Sequence, residues 1–315
     1  MRQPAVLYGK ITYSEGVLLR VRQLESVLRG FLACVWPSYN SPCLTVWFKR
    51  FGLFCLTALV FSAGVFADPA DSRSPDLARE QRMAAEIVDT ILDGEPITLE
   101  TNQGKRFLGV HMRSPDSPAK GTVIILHGRG FHPDWVDVVQ PLRVGLTETG
   151  WDTLSIQLPV LRKRARYFDY VEIFDAANPR IEAAINWVRG RKTTRVVMLA
   201  HSCGSHMAQH WIRVRGQAAL EQFDAFIGVG MGATDYGQPM REPFVLDRIR
   251  VPVLDIYAEN DFPAVQRMAP ERFDALKRAG NRKSAQLMLA NSDHYFTDQG
   301  GLLLEAVAAW LDTLW

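Results

Sequence analysis

The stretch from Arg195 to Gln209, RVVMLAHSCGSHMAQ, constrains the fold more than any other part of the chain. Its first part, Arg195 to Ala200, is a short apolar run rich in β-branched residues, which is typical of a buried parallel strand. Met207 to Val214 has a helical pattern. The chain must therefore turn sharply between strand and helix, and Ser202 lies in that turn.

Small residues flank this serine, with Ala200 two positions before Ser202 and Gly204 two positions after it. In a strained turn that presents a nucleophilic serine, the strand and the next helix pass so closely that bulky residues at these positions would collide. The pattern predicts such a turn. Because it also occurs in ordinary strand-to-helix turns, the catalytic interpretation depends on residues elsewhere in the chain.

The segment before residue 68 has the features of a secretory signal peptide. The basic residues of Trp47 to Arg50 precede an uncharged apolar run, Phe51 to Ala67, which ends in Val65-Phe66-Ala67. The run has 17 residues, which is marginal for a membrane span. Residues 44–67 are therefore predicted to be a signal peptide cleaved after Ala67, and an uncleaved anchor is the alternative.

Residues 1–43 are predicted to be a non-native upstream extension, because signal peptides begin near the N-terminus and this one begins late. Translation would then start near Leu44 or Val46. After residues 1–67, which we call the leader, we expect an N-terminal helical segment at 68–95 and one α/β domain at 96–315.

The charge of the chain depends on this leader. Residues 1–67 hold 7 of the 36 Lys and Arg and 2 of the 34 Asp and Glu, so the remainder has 29 basic and 32 acidic residues, a net charge of −3 instead of +2. That balance gives no reason to expect a nucleic-acid partner. Cys203 is the one cysteine after residue 67, which excludes an intrachain disulfide in the processed chain.

Strands and helices alternate after the leader, which predicts an α/β fold with a mostly parallel, doubly wound sheet covered on both faces. Asn102-Gln103-Gly104 between two alternating runs predicts an antiparallel hairpin at the N-terminal edge. The predicted strands are 96–101, 106–112, 121–126, 151–158, 195–200, 224–230, 251–257 and 284–289, and the predicted helices are 75–94, 135–146, 179–189, 207–214, 270–279 and 302–314. Two helices are expected to begin at proline, at Asn178-Pro179 and at Pro270.

With the serine after its fifth strand, the chain resembles the α/β-hydrolase superfamily from about residue 96 to 315. More narrowly, HPDWVDVVQPLRVGLTETGWDTLSIQLP and VPVLDIYA resemble a bacterial family of uncharacterised α/β-hydrolase-like proteins. The resemblance implies a triad in the chain order serine, acid, histidine. Ser202 matches the nucleophile, Asp261 after strand 251–257 matches the acid, and His294 past the last strand matches the base.

Each of these matches has an alternative. Asp235 follows the preceding strand and is the competing acid, and Asp261 could be a solvated loop residue. His294 could cap the last helix. The three residue types in the expected order favour the triad over three separate coincidences.

The roles follow from acyl-transfer chemistry. Ser202 needs a base to take its proton, and a histidine such as His294 is the side chain most often used for that task. Asp261 would hold the imidazole tautomer. The oxyanion needs two donors, which we expect to be the backbone N–H of Cys203 and that of Arg129, with Gly130 as the alternative to Arg129.

Other reactive residues are given simpler roles. His127 is expected to orient its Gly-rich loop, and a Cys203 nucleophile is rejected because His201 is too large for the position two before it. His206 and His210 have the i, i+4 spacing of a metal pair, but without a suitably spaced third ligand they are expected to be surface histidines. No metal or cofactor is predicted.

The leading hypothesis is therefore a secreted or periplasmic serine esterase that acts on a small-molecule or lipid-like ester, with contact to a membrane surface as a further possibility. Only about 20 residues connect Gly230 to Val251, so no large cap domain is expected. The basic-aromatic stretch Leu161 to Phe174 is expected either to border the site or, the slightly preferred interpretation, to be a solvated loop with its aromatics in the core. Alternatives of another class are a non-catalytic envelope binding protein on the same scaffold and a membrane-tethered interaction protein.

Overall fold

Eight strands form one sheet in the computed structural model, which describes residues 74–232 and 244–315. The strands are β1 (Glu95–Glu100), β2 (Arg106–Met112), β3 (Thr122–Leu126), β4 (Asp152–Ile156), β5 (Val196–His201), β6 (Ala225–Val229), β7 (Val253–Asn260) and β8 (Ala285–Asp293). Their order in the sheet is β1-β2-β4-β3-β5-β6-β7-β8. β1 pairs antiparallel with β2, β2 pairs antiparallel with β4, and all further pairs are parallel. The predicted parallel sheet with an N-terminal antiparallel hairpin is confirmed.

The central strands are apolar because both of their faces are covered. In β3 every residue is buried, and successive side chains point to opposite faces. Val123 and Ile125 belong to one core cluster, and Ile124 and Leu126 belong to the other. A strand buried on both faces therefore has a continuous apolar sequence, and this apolar run is the feature that predicted β3.

Helices cover the two faces. The helices are α1 (Leu77–Val88), α2 (Val139–Glu148), α3 (Phe174–Arg189), α4 (Cys203–Arg215), the short α5 (Gln217–Leu220), α6 (Pro263–Ala279) and α7 (Gly300–Asp312), with 3-10 turns at Tyr167–Ile173 and Leu246–Arg248. α2 and α7 pack on one face through residues such as Leu142 and Val307. α3 and α4 pack on the other through residues such as Ile181 and Trp211.

Two helices begin earlier than the prolines that were expected to start them. α3 begins at Phe174, directly after a 3-10 turn, and contains Pro179 in its interior. The burial of Phe174 outweighs the local preference of proline for a first turn. α6 begins at Pro263, which occupies its first turn, and contains Pro270.

Helix α4, which follows the turn at Ser202, also begins earlier than predicted, at Cys203 instead of Met207. The predicted signal peptide, the predicted upstream extension and the alternative acid Asp235 lie outside the described residues. Within residues 74–232 and 244–315, no helix has both the length and the apolarity that a bilayer crossing requires.

Candidate active site

The turn between β5 and α4 presents Ser202 in a strained conformation. Ser202 has φ 53° and ψ −119°, a region that a non-glycine residue rarely adopts. Its backbone N–H donates to Val229 O at 2.8 Å, which ties the turn to the end of β6. The predicted strained turn is present, and the hydroxyl stands at the N-terminal end of α4.

Gly204 is required because α4 begins against the end of β3. A Cβ at position 204 would lie 2.6 Å from His127 O and 2.7 Å from Leu126 O, closer than real Cβ contacts allow. The same approach brings the backbone of the serine turn next to the loop that follows β3.

His294 connects the serine to the acid. Its Nε2 lies 2.8 Å from Ser202 Oγ, and its Nδ1 lies 2.6 Å from Asp261 Oδ1. Because the carboxylate only accepts, Nδ1 carries the hydrogen, and Nε2 is left to accept from the serine hydroxyl. All three residues are buried. The three positions that the sequence singled out therefore form one hydrogen-bonded chain.

Asp261 is held by the turn between β7 and α6. Its Oδ1 accepts from Phe262 N at 2.8 Å, and its Oδ2 accepts from Ala258 N at 3.1 Å. The carboxylate thus accepts two backbone hydrogen bonds besides the one from His294, which fixes its orientation. Asp261 is not the solvated loop residue that was the alternative for this position.

A small cavity of about 90 Å³ opens onto Ser202 and His294. Its other walls are Arg129, Phe131, Tyr167, Phe262 and Tyr295. A larger cavity of about 670 Å³ lies between the β1–β2 turn and the start of α3, where it is lined by residues such as Lys105 and Asp175. None of the three hydrogen-bonded residues lines that larger cavity. The smaller cavity is therefore the candidate active site.

The two predicted oxyanion donors lie on the loops that meet at Gly204. Cys203 N–H is at the first position of α4, where a helix leaves its amides without intrahelical acceptors. Arg129 lies in the loop after β3 and lines the small cavity. In the part of the chain that the structure describes, neither backbone amide donates to a protein acceptor. The two amides therefore meet one requirement for oxyanion donors, and their role stays a prediction.

His201 is a part of the site that the sequence analysis did not single out. Its Nε2 lies 3.0 Å from His294 O, and its Nδ1 has no partner among the described residues. Complete burial lowers the pKa of His201 to about 3, so the ring is neutral and donates through Nε2. The position of His201 directly before Ser202 in the sequence was the feature that could have indicated its place in the site.

His127 orients the loop after β3, as expected. Its Nδ1 lies 2.8 Å from Gly128 O, and its Nε2 accepts from Leu158 N at 2.9 Å. Burial lowers the pKa of His127 to about 3, which keeps the ring neutral. This imidazole therefore joins the loops that follow β3 and β4.

His206 and His210 are not surface residues, and that prediction was wrong. His206 is buried between the rings of Phe174 and Phe244, and burial lowers its pKa to about 3. His210 is also buried, and its Nε2 lies 2.8 Å from Asp175 Oδ1. α4 packs against α3, and this contact covers the face that carries both rings. Among residues 74–232 and 244–315, no group of three or more His, Cys, Asp or Glu is placed to hold a metal ion.

Cys203 is buried, and burial raises the pKa of its thiol to about 12. A thiol with so high a pKa is not a nucleophile at neutral pH. The Cys203 side chain packs in the core.

The stretch from Leu161 to Phe174 combines the two roles considered for it. Tyr167 lines the small cavity, whereas Tyr170 and Phe174 are buried in the core. Four of its side chains are exposed cations: Arg162, Lys163, Arg164 and Arg166. Arg129 donates to Ala165 O at 3.0 Å, which connects this stretch to the loop after β3. The stretch therefore borders the site.

Comparison with known proteins identifies the fold. Residues 55–168 match the model of a family described as "Protein of unknown function (DUF3530)". No curated protein matches the chain significantly. The chain has the α/β-hydrolase fold, as the following solved structures indicate.

A serine hydrolase without a lid from Xanthomonas campestris superposes with a TM-score of 0.52 at 17% identity, over 71% of this chain and 95% of that chain. An esterase from Pyrococcus furiosus superposes with a TM-score of 0.53 at 16% identity, over 70% of this chain and 92% of that chain. A cold-adapted esterase from an Arctic intertidal metagenomic library has a TM-score of 0.51 at 13% identity, over 68% of this chain and 92% of that chain.

Proposed function

We propose that the protein is a serine hydrolase that cleaves a carboxylic ester through an acyl-enzyme on Ser202. The observation that carries the proposal is the position of His294, whose two ring nitrogens lie 2.8 Å from Ser202 Oγ and 2.6 Å from Asp261 Oδ1. A serine, a base within reach of its proton and a carboxylate that orients the base are the components of nucleophilic acyl transfer.

In the first half of the reaction, His294 Nε2 takes the proton of the Ser202 hydroxyl while Oγ attacks the ester carbonyl carbon. The carbonyl electron pair moves to the oxygen, which accepts from the amides of Cys203 and Arg129. The tetrahedral adduct then re-forms its C=O bond and breaks the bond to the alcohol oxygen. His294 gives its proton to that oxygen, and the alcohol leaves.

In the second half, water replaces the alcohol. His294 takes a proton from the water as its oxygen attacks the acyl carbon, and it returns the proton to Ser202 Oγ when the carboxylic acid is released. Asp261 stabilises the imidazolium in both halves, and it keeps Nδ1 protonated so that Nε2 stays basic.

The size and the walls of the cavity favour a small acyl group. Its volume is about 90 Å³, and four of its seven lining residues are aromatic. The connection from β6 to β7 spans residues 230–252, which is too short for a domain that could cover the site. Two of the structures similar to this chain are named esterases, which is consistent with ester chemistry on this fold.

We infer that the enzyme acts outside the cytoplasm, in the periplasm or as a secreted protein. The support is the basic flank, the apolar run and the small residues that end at Ala67.

A fluorophosphonate probe tests the proposed nucleophile, because it forms a stable adduct only with an activated serine. We expect labelling at Ser202 and hydrolysis of p-nitrophenyl acetate and butyrate, both lost in Ser202→Ala. Ser292→Ala is the matched control, because Ser292 is buried near the site but its hydroxyl donates to Leu289 O. A folded wild-type protein that neither reacts with the probe nor cleaves a broad ester panel would overturn the proposal and favour a binding protein on the same scaffold.

A further inference from the structure

Helix α1 lies outside the sheet, yet one of its side chains contacts both loops beside the small cavity. The Arg79 guanidinium donates through Nη2 to Gly130 O at 2.9 Å and through Nη1 to Leu161 O at 2.5 Å. Gly130 belongs to the loop after β3, which carries the proposed oxyanion donor, and Leu161 begins the basic-aromatic stretch after β4. One planar cation therefore joins two loops that are 31 residues apart in sequence.

The first turn of α1 is itself fixed on the loop after β4. Asp76 N donates to Val160 O at 2.7 Å, and Glu80 Oε1 accepts from Val160 N at 3.1 Å. Glu80 also pairs with Arg180 at 2.8 Å, with both side chains buried. The contacts of Asp76 and Glu80 therefore fix the helix on both sides of Arg79. The buried ion pair of Glu80 adds to this, because breaking such a pair is strongly destabilising.

The loop after β3 is held weakly by its own backbone, so contacts with other segments contribute to its geometry. The hydrogen bond that closes it, from Phe131 N to Gly128 O, is long at 3.3 Å. Gly130 has φ +72°, so its peptide groups are oriented in a way that other residues rarely adopt. The bond from Arg79 fixes the Gly130–Phe131 peptide, one residue beyond Arg129, through Gly130 O. His127 fixes the Gly128–Arg129 peptide, which carries the Arg129 N–H, through Gly128 O.

We propose that Arg79 is a positioning residue that holds the oxyanion loop in its productive geometry through Gly130 O. This rests on the proposed function. The N-terminal helix is thereby part of the active-site assembly. Arg79 touches no reacting atom, and its effect on the reaction passes through the Arg129 amide.

The expected signature follows from where the oxyanion forms. A misplaced donor stabilises the tetrahedral adduct less but leaves binding of the neutral ester almost unchanged, so kcat falls and KM does not rise. Displacements of about 1 Å in such groups can cost up to about 100-fold in rate. A merely structural role would lower the melting temperature and leave kcat of the folded protein at 25 °C unchanged.

The experiment compares Arg79→Met, Arg79→Lys and the matched control Arg82→Met, which removes an exposed cation from the same helix. We expect kcat for p-nitrophenyl acetate to fall about tenfold or more in Arg79→Met at constant KM. Arg79→Lys, which can reach one carbonyl at a time, should lose less, and Arg82→Met should match wild type. Hydrogen–deuterium exchange of peptides covering 127–131 and 158–163 should rise in Arg79→Met and not in Arg82→Met.

Wild-type kcat in folded Arg79→Met, or equal losses in both Met variants, would overturn the proposal. If Arg79→Met does not fold, Arg79→Lys decides, and an unchanged kcat together with unchanged exchange at 127–131 would count against the role. If wild type has no esterase activity, the proposed function fails, and the exchange measurement still shows whether Arg79 orders the loop.

Discussion

The His201 imidazole and the backbone carbonyl of His294 are joined by a hydrogen bond of 3.0 Å. The residue before the proposed nucleophile thus holds the main chain of the proposed base. Since burial lowers the pKa of His201 to about 3, this ring stays neutral near pH 7 and keeps donating to His294 O. The contact fixes the distance between β5 and the loop after β8, and with it the reach of His294 to Ser202.

Asp261→Asn should lower kcat by about 10³ to 10⁴-fold, because an amide can present its NH2 group to Nδ1 and so favour the wrong imidazole tautomer. The fold should be retained, since Asn keeps one oxygen that can accept from Phe262 N or Ala258 N. Steady-state kinetics with a p-nitrophenyl ester, together with a thermal melt of the same sample, measure both effects.

Asp235→Asn is the matched comparison, because Asp235 is the other acid that the chain order allows. We expect it to retain nearly all of the wild-type activity. Loss of activity in Asp235→Asn with normal turnover in Asp261→Asn would show that the acid is assigned to the wrong strand end.

The sheet and the turn at Ser202 were predictable because their signals are local, whereas Asp261 and His294 were matched to the serine through the resemblance to α/β-hydrolases. Strands buried on both faces appear as short apolar runs, and the sharp turn at Ser202 is marked by small residues on either side. Asp261 and His294 each follow a strand, and the ends of parallel strands meet at one edge of a sheet.

The features that were missed depend on contacts between distant parts of the chain. Glu80 and Arg180 look like surface charges in sequence, and only the folded chain brings them together as a buried ion pair. His206 looks exposed until Phe174 and Phe244 enclose it. Pro263 and Pro270 are both compatible with a helix start in sequence, and the structure shows that α6 begins at Pro263 and continues through Pro270.

Gly204→Ala should destabilise the fold by about 3 kcal/mol or more, because the added Cβ would meet backbone atoms that cannot move without displacing β3. Gly301→Ala is the control, since a Cβ there meets nothing within 4 Å, and it should stay within about 1 kcal/mol of wild type. Urea unfolding followed by fluorescence gives both values. Equal midpoints for the two variants would contradict the close approach of α4 to β3.

Export should remove the leader between Ala67 and Asp68, because the apolar run ends there with small residues at −3 and −1. N-terminal sequencing of the protein recovered from the periplasm or medium of a bacterial host should begin at Asp68. Ala67→Arg is expected to block cleavage and leave a larger, membrane-associated product. A wild-type protein that keeps its leader and sediments with membranes would favour the anchor alternative.

His206→Leu should make the protein less sensitive to acid. Burial lowers the pKa of His206 to about 3 in the folded state, whereas an ordinary histidine titrates near 6.5, so between these values the unfolded chain binds a proton that the folded chain does not. The free energy of unfolding therefore falls as the pH falls through this window, by about 1.4 kcal/mol per pH unit for each such histidine. Above pH 6.5 the ring is neutral in both states and contributes no slope.

A leucine side chain at this position cannot take up a proton. Urea unfolding between pH 7 and pH 4 should therefore show His206→Leu losing about 1.4 kcal/mol less per pH unit than wild type below about pH 6. His132→Leu is the control, because His132 is only partly buried and its pKa is lowered less. Parallel pH dependences for wild type and His206→Leu would mean that His206 is not neutral and buried in the folded protein.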